Sequence, residues 1–252
     1  MIEKYKIATD AILLRKEMGE DSFSPIDIFS MVSEQNDITL TFFPMSERLS
    51  GICIKNDKNK VVAINSNMSY GRQRFTLAHE LCHLYYHGDF GSIVCQKDIE
   101  ASRKDEKEKE ADIFASFFLL PQEALQQYLK NNVNSKTELE VDDVVRLEQY
   151  FGISRQAILY RLVSDRFLDK VKSENMKTNI ILSARRLGFD DKLYRPTEEK
   201  KAYYTLGEYI SKAETIKEKH LISEGKYEEL LLDAFRSDIV FGDDIDGEEQ
   251  YD

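Results

Sequence analysis

The sequence predicts an α+β fold that is mainly helical and contains a small three-stranded antiparallel sheet. Over most of the 252 residues, apolar side chains recur every three or four positions, as they do on amphipathic helices. Three short runs rich in β-branched or aromatic residues, at 38–43, 51–54 and 61–64, instead predict strands. With 42% apolar residues, 11 Gly and 4 Pro, the chain has enough apolar material for a buried core.

The N-terminal part is predicted to contain two helices followed by the sheet. The first helix is indicated by an apolar stripe with helical spacing: Ile7, Ala11, Leu14 and Met18. Ser24-Pro25 has the form of an N-cap followed by a first-turn proline, so a second helix is expected to open there. The polar stretch 55–60 separates the last two strand runs and predicts a hairpin.

The rest of the chain is predicted to be helical. One helix is expected from Arg72 to His87, with Gly88 ending it, and another from near Asp105 to Leu120. Thr197 is expected to open a helix in a C-terminal extension that ends in an acidic tail from Asp243. These elements predict three units: 1–130, a helix-turn-helix-like segment at 131–185, and the helical extension 186–252.

The composition argues against several classes of protein: non-specific nucleic-acid binders, disulfide scaffolds, and membrane or secreted proteins. The 35 basic and 46 acidic residues give a net charge of −11, which disfavours non-specific binding to nucleic acid. Three scattered cysteines argue against a disulfide scaffold. Because no run of eighteen apolar residues and no N-terminal apolar segment occurs, we expect neither a membrane span nor a signal peptide, and hence a cytoplasmic protein.

The motif that carries chemistry is His79-Glu80-Leu81-Cys82-His83, which lies within a predicted helix. Residues four apart on an α-helix stand one turn apart on nearly the same face, so both imidazoles can bind one Zn²⁺ ion. Glu80 is rotated by about 100° from His79 and can take a proton from zinc-activated water without being a ligand. The motif therefore predicts a zinc-dependent endopeptidase with Glu80 as general base.

A third protein ligand is required, because a catalytic zinc site has three protein ligands and an open position. Position 89 is Asp, so the arrangement with a third histidine six residues on is ruled out. The candidates are carboxylates of the next helix: Glu106, Glu108, Glu110 and Asp112. Glu110 is selected because it shares its helical stripe with Phe114 and Phe117, which are expected to face the core.

Several neighbouring residues have two interpretations. His87 continues the four-residue spacing, but a role at the helix end is favoured over a metal role. Cys82 is interpreted as a buried thiol rather than a redox group, while Asp112 is either an outer partner of a ligand imidazole or a solubilising charge. Three tyrosines could stabilise an oxyanion, and the sequence does not choose among them: Tyr70, Tyr85 and Tyr86.

These residues resemble the ImmA/IrrE family of zinc metallopeptidases. The likeness rests on residues 74–84, on 110–115 and on Leu119-Leu120-Pro121, and it extends over about residues 1–165. It implies that Glu110, 27 positions after His83, is the third ligand. It also implies cleavage of a helix-turn-helix repressor encoded nearby, in a phage, mobile element or stress-response locus. The chain departs from the family pattern at Cys82, commonly Gly, and at Asp112, commonly Asn.

Residues 144–162 have the sequence pattern of a helix-turn-helix, with a turn at Gly152 and an N-cap at Ser154. A DNA-reading version would use Arg155 and Gln156 at the start of the second helix, supported by two further arginines, Arg161 and Arg166. Acidic residues precede them, so an αα-hairpin packed on the peptidase is favoured. The alternative function is therefore a DNA-binding or protein-interaction regulator that uses 140–166, with structural zinc or conditional cleavage.

Overall fold

The computed structural model describes residues 4–56, 58–88, 91–96, 106–133 and 138–242. It confirms a mainly helical α+β fold. The helices of the described residues are α1 Lys4–Glu17, α2 Ile28–Ser33, α3 Tyr70–Tyr86, α4 Glu106–Leu119, α5 Gln122–Asn132, α6 Val141–Phe151, α7 Arg155–Ser164, α8 Lys170–Asn175, α9 Ile180–Arg186, α10 Glu208–Glu218, α11 Glu224–Asp233 and α12 Ser237–Phe241. The strands are β1 Ile38–Phe43, β2 Leu49–Lys55, β3 Lys60–Asn65, β4 Gly91–Gln96 and β5 Tyr204–Gly207.

The sheet is mixed and has five described strands in the order β4-β2-β3-β1-β5, so the prediction of three antiparallel strands is corrected in this detail. The three predicted strands are present, and β2 and β3 form the predicted hairpin. However, β1 pairs with β3 in parallel, while β4 and β5 add antiparallel edges. β5 has only four residues, which is too short a pattern to predict a strand from sequence.

The parallel pairing depends on a short crossover that Asn65 holds in place. Residues 44–48 leave β1, pass the end of β3 and enter β2. The buried Asn65 amide accepts a hydrogen bond from the N–H of Met45 and donates to the carbonyls of Ser46 and Leu49, at 2.7–3.0 Å. These bonds satisfy the backbone groups of the crossover, which the sheet ladder leaves unpaired.

Two predicted helix starts are wrong. α2 begins at Ile28 rather than after Ser24, because the carboxylate of Asp27 caps the N–H groups of Phe29 and Ser30. No α-helix opens at Thr197: a 3₁₀ turn at Glu199–Lys201 leads into β5, and α10 follows from Glu208. The predicted acidic tail from Asp243 lies outside the described residues.

Helix α3 lies at the centre of the molecule, between the sheet and α4. One hydrophobic core extends from Ala11 to Met176, so α6 and α7 of the helix-turn-helix-like segment share it with the N-terminal part. A smaller core, formed by Ala213, Tyr227 and Leu231, joins α10 to α11. Within the described residues, no helix combines the length and the apolar character that a membrane span needs.

Candidate metal centre

The histidine motif lies on a helix that is almost entirely enclosed. Every residue of α3 from Gln73 to Leu84 is buried. The first turn is fixed from outside the helix, because the N–H of Tyr70 donates to the carbonyl of Arg195 at 2.8 Å. The Gln73 amide donates to the carbonyl of Met68 at 2.7 Å. The histidine pair therefore occupies a rigid interior position, as ligands for a metal ion require.

Three side chains converge at this point: His79, His83 and Glu108. The Nε2 atoms of the two imidazoles are 3.1 Å apart. The carboxylate of Glu108 reaches both rings, with Oε2 at 3.3 Å from Nε2 of His79 and Oε1 at 3.3 Å from Nε2 of His83. Both histidines are more than nine-tenths buried.

This donor set fits a zinc ion. Bonds of about 2.0–2.2 Å at tetrahedral angles place neighbouring ligand atoms roughly 3.3–3.5 Å apart. The distance between the two Nε2 atoms and the two distances from Nε2 to a Glu108 oxygen are 3.1–3.3 Å, which is close to that spacing. Two imidazoles and one carboxylate are also the ligand types of known catalytic zinc sites, with one position left for water or substrate.

The structure does not bring Glu110 to the Nε2 atoms of His79 and His83; the carboxylate that reaches them is that of Glu108, two residues earlier on α4. Glu108 shares a helical stripe with three fully buried residues three, seven and ten positions further on: Ala111, Ala115 and Phe118. Phe114 also packs against α3, with its ring centre 5.3 Å from that of Tyr86. The small side chains of Ala111 and Ala115 let α4 approach α3 closely.

Phe117, one of the two phenylalanines that selected Glu110 in the sequence, lies against a different helix. Its ring packs under the guanidinium of Arg161, whose Cζ is 3.8 Å from the ring centre. The signal that could have identified Glu108 is the small-residue period Glu108, Ala111, Ala115. Asp112, one turn beyond Glu108, extends the same face of α4.

Asp112 contacts the His79 imidazole at the nitrogen that faces away from Glu108, as one of its two predicted interpretations requires. Its Oδ1 is 3.0 Å from Nδ1 of His79. Burial alone would lower the pKa of His79, but Asp112, Glu108 and Glu80 outweigh it and raise the pKa to about 10. The pKa of Glu108 is lowered, because contacts with both histidines exceed the opposing effect of burial. The cluster is thus electrostatically suited to a positive charge.

His87 follows α3 and points inward. Its Nδ1 is 2.7 Å from Nδ1 of His83, and its Nε2 is 3.3 Å from Oε2 of Glu110. The helix-end role that the sequence favoured for His87 is therefore not what these contacts show. Burial, together with neighbouring His83, lowers the pKa of His87 despite the carboxylate of Glu110.

Glu80, the predicted general base, is a fully buried residue of α3, and its side chain lies against strand β2. A Cβ atom built on Gly51 of β2 would lie 2.9 Å from Oε1 of Glu80 and 2.6 Å from Cγ2 of Thr76. Glycine at position 51 therefore makes room for the carboxylate against the sheet. The field of Glu80 is one of the contributions that raise the pKa of His79, which places its charge near the cluster.

Three other candidate residues near the motif, Cys82, Tyr85 and Tyr86, make packing or hydrogen-bond contacts away from the histidine cluster. Cys82 is 3% exposed, and burial raises the pKa of its thiol, which agrees with the packed-thiol interpretation. The hydroxyl of Tyr86 donates to the carbonyl of Asp10, and the ring of Tyr85 lies under Lys60. In the described part of the chain, neither tyrosine hydrogen-bonds to the histidine cluster.

The helix-turn-helix-like segment forms α6 and α7, but two of the three arginines that a DNA-reading version would use are inaccessible. Arg155 and Arg161 are each 2% exposed. Arg155 pairs with Glu148, and Arg161 pairs with Asp165 at 2.6 Å. These side chains cannot neutralise DNA phosphates, so the geometry matches the predicted αα-hairpin packed on the N-terminal part.

A groove of about 440 Å³ opens beside the cluster. Its lining includes Phe75, which is one turn before His79, and Asp112, together with Tyr160 of α7, Lys170 and Lys177. Its volume lies within the range of small-ligand clefts. Asp112, which contacts His79, is thus one of the residues that line the groove.

Comparison with known proteins gives a family match. A family model for peptidase M78, described as the IrrE N-terminal-like domain, matches residues 33–163. This range contains the histidine motif, all of α4 and most of α7.

Two individual proteins and one solved structure are also similar to this chain. The radiation response metalloprotease IrrE of Deinococcus deserti is 33% identical over 105 residues, which cover 41% of this chain and 36% of that protein. The uncharacterized protein YqaB of Bacillus subtilis is 24% identical over 165 residues, or 62% of this chain and 90% of YqaB. A Mycobacterium tuberculosis transcriptional regulator aligns with a TM-score of 0.41 and 13% identity, covering 63% of this chain and 46% of that one.

Proposed function

Because the chain belongs to the peptidase M78 family, described as IrrE N-terminal-like, we propose that it is a zinc-dependent metalloendopeptidase. The observation that carries this proposal is the convergence of His79, His83 and Glu108, with Glu80 next to a ligand on the same helix. The chain spans about a third of the length of the IrrE protein it matches, so the activity is inferred from this site.

His79, His83 and Glu108 would hold the ion, with Nε2 of each imidazole and the carboxylate as donors. Bound zinc supplies Lewis acidity, which polarises a carbonyl and lowers the pKa of water to about 7. The carboxylate of Glu80 accepts the proton of the attacking water and returns it to the amine that leaves. Asp112 accepts the Nδ1 proton of His79 and so directs Nε2 towards the ion.

The substrate that we propose is a protein, and more narrowly a helix-turn-helix repressor encoded near this chain. This finer assignment rests on the resemblance to the ImmA/IrrE family. We place the reaction in the cytoplasm, where such repressors bind DNA.

The base is tested by changing Glu80→Gln, which keeps the size of the side chain and removes the proton acceptor. We expect cleavage of a co-expressed neighbouring repressor to fall by at least about a hundredfold, while zinc content stays at one ion per chain. Glu106→Gln is the matched control, since Glu106 is exposed on α4. If the Glu80→Gln chain still relieves repression by the co-expressed repressor as fully as the parent chain does, a regulator that does not cleave is supported instead.

The third ligand is tested separately by Glu108→Gln. We expect this change to remove most bound zinc, as measured by metal analysis of the purified chain after dialysis. Glu106→Gln again serves as the control and should retain zinc. If Glu108→Gln binds zinc as tightly as the parent chain, the ligand set is wrong even though the histidine pair remains.

A further inference from the structure

The ring of His87 links a proposed zinc ligand to a carboxylate. One nitrogen faces His83 at 2.7 Å, and the other faces Glu110 at 3.3 Å. His87 is 7% exposed, so its ring is almost completely shielded from water. Buried polar groups in such positions need partners, and these two contacts provide both.

The direction of the hydrogen bonds follows from the ligand role of His83, and it therefore rests on the proposed function. When Nε2 of His83 presents its lone pair to the ion, the ring proton of neutral His83 must be on Nδ1. That N–H donates to Nδ1 of His87, which has to be the unprotonated nitrogen. The proton of His87 is then on Nε2, where Glu110 accepts it.

We propose that His87 and Glu110 are positioning residues, which fix the tautomer and the ring orientation of His83 for zinc binding. His79 receives the same support directly from Asp112. Among the described residues, the partner of the outer nitrogen of His83 is His87, and His87 spans the distance to Glu110. This explains why Glu110 is in the site although it does not reach the ligand nitrogens.

The arrangement differs from a histidine that only stabilises a helix end. Such a ring would face the last carbonyls of α3, which ends at Tyr86. Instead, the rings of His83 and His87 have their centres 4.7 Å apart. The side chain of Glu110 is 37% exposed, so a glutamine there should not disturb the core.

The experiment measures the zinc dissociation constant of the full chain by competition with a chelator. We expect His87→Leu to raise it about 10- to 100-fold, as loss of an outer partner does in other zinc sites. His87→Asn, whose Oδ1 can accept in place of Nδ1, should recover much of the affinity. Glu110→Gln should raise the constant by a smaller factor, and Glu106→Gln should leave it unchanged.

Circular dichroism of the metal-free variants controls for folding; if His87→Leu does not fold, Glu110→Gln carries the test. NMR of ¹⁵N-labelled histidine in the zinc-bound parent chain gives a second measurement, with the proton of His87 expected on Nε2. Unchanged affinity in both His87→Leu and Glu110→Gln, or a proton on Nδ1 of His87, overturns the inference alone. A parent chain that binds no zinc overturns both this inference and the proposed function.

Discussion

The carboxylate of Asp112 lies 3.0 Å from Nδ1 of His79, while Nε2 of the same ring faces Glu108 at 3.3 Å. The two acids are four residues apart on α4, so a single helix face holds both nitrogens of one imidazole. Aspartate and asparagine both present an oxygen at this position. The asparagine common in the ImmA/IrrE pattern and the aspartate of this chain are therefore compatible with the same contact.

The first prediction concerns this contact. We expect Asp112→Leu to weaken zinc binding by about 10- to 100-fold, since the ring loses the acceptor that orients it. Asp112→Asn retains an accepting oxygen and should weaken binding less. Chelator competition measures both constants. Equal affinity in Asp112→Leu and the parent chain would mean that Asp112 only adds surface charge.

The second prediction concerns the space beside Glu80. A methyl group at position 51 would lie too close to Thr76 and Glu80, so Gly51→Ala must displace one of them. We expect the free energy of unfolding to fall by about 1–3 kcal/mol and cleavage to fall further, with zinc still bound. Urea titration, metal analysis and a cleavage assay measure the three quantities.

Gly225→Ala in α11 is the control for this change, because a Cβ atom at position 225 would meet no neighbouring side chain within 4 Å. It should keep full activity, and alanine in place of glycine favours the helix. If Gly51→Ala is as active as the control, then the position of Glu80 against β2 does not matter for the reaction.

The parts of the site that depend only on the geometry of one helix could be predicted from the sequence. The pair His79 and His83 is set by helix geometry alone, so their spacing predicted that both face the same point, as they do. The membership in the ImmA/IrrE family, predicted from residues around these two, is also confirmed. Zinc and the base role of Glu80 stay predictions.

The choice between Glu108 and Glu110 needed the packing of two helices. Sequence periodicity correctly predicted α4, but two apolar stripes lie on it, and the stripe with the larger phenylalanines favoured Glu110. In the structure Glu108 reaches the histidines, and Ala111 and Ala115 on its stripe are fully buried. The β1–β3 pairing was missed for a similar reason, since non-local contacts decide strand order.

The third prediction concerns the buried pair in the helix-turn-helix-like segment. Arg155 contacts Glu148 and also donates to the carbonyl of Met176 and the hydroxyl of Ser183, at 2.8 and 2.9 Å. Removing one partner leaves a buried charge, so Glu148→Gln should lower the free energy of unfolding by about 3–5 kcal/mol. Urea titration measures the change.

Gln156→Ala is the control, because Gln156 is the exposed neighbour of Arg155 and should change stability by less than about 0.5 kcal/mol. A substitution of Arg155 is consequently a poor probe of DNA binding, since any loss would reflect unfolding. A Glu148→Gln chain that is as stable as the control would show that the pair is not needed for the fold.

The fourth prediction concerns pH and the loop that joins α1 to α2. The carboxylate of Asp21 accepts hydrogen bonds from the N–H groups of Phe23 and Ser24 and from the Ser24 hydroxyl, at 2.6–2.7 Å. These bonds lower its pKa to about 2 from the ordinary 3.8. The loop in turn accepts hydrogen bonds from the buried Arg15, whose guanidinium also donates to the carbonyl of Phe118 in α4.

Because the folded pKa of Asp21 is below its ordinary value, its stabilising effect is complete above about pH 4 and is lost as the pH falls towards 2. We expect Asp21→Asn to have a lower urea midpoint than the parent chain at pH 6, and the difference to shrink at pH 3. Asp233→Asn, at the exposed end of α11, should show no such convergence. A difference between Asp21→Asn and the parent chain that stays constant from pH 6 to pH 3 would show that the loop depends on shape and not on the ionised carboxylate.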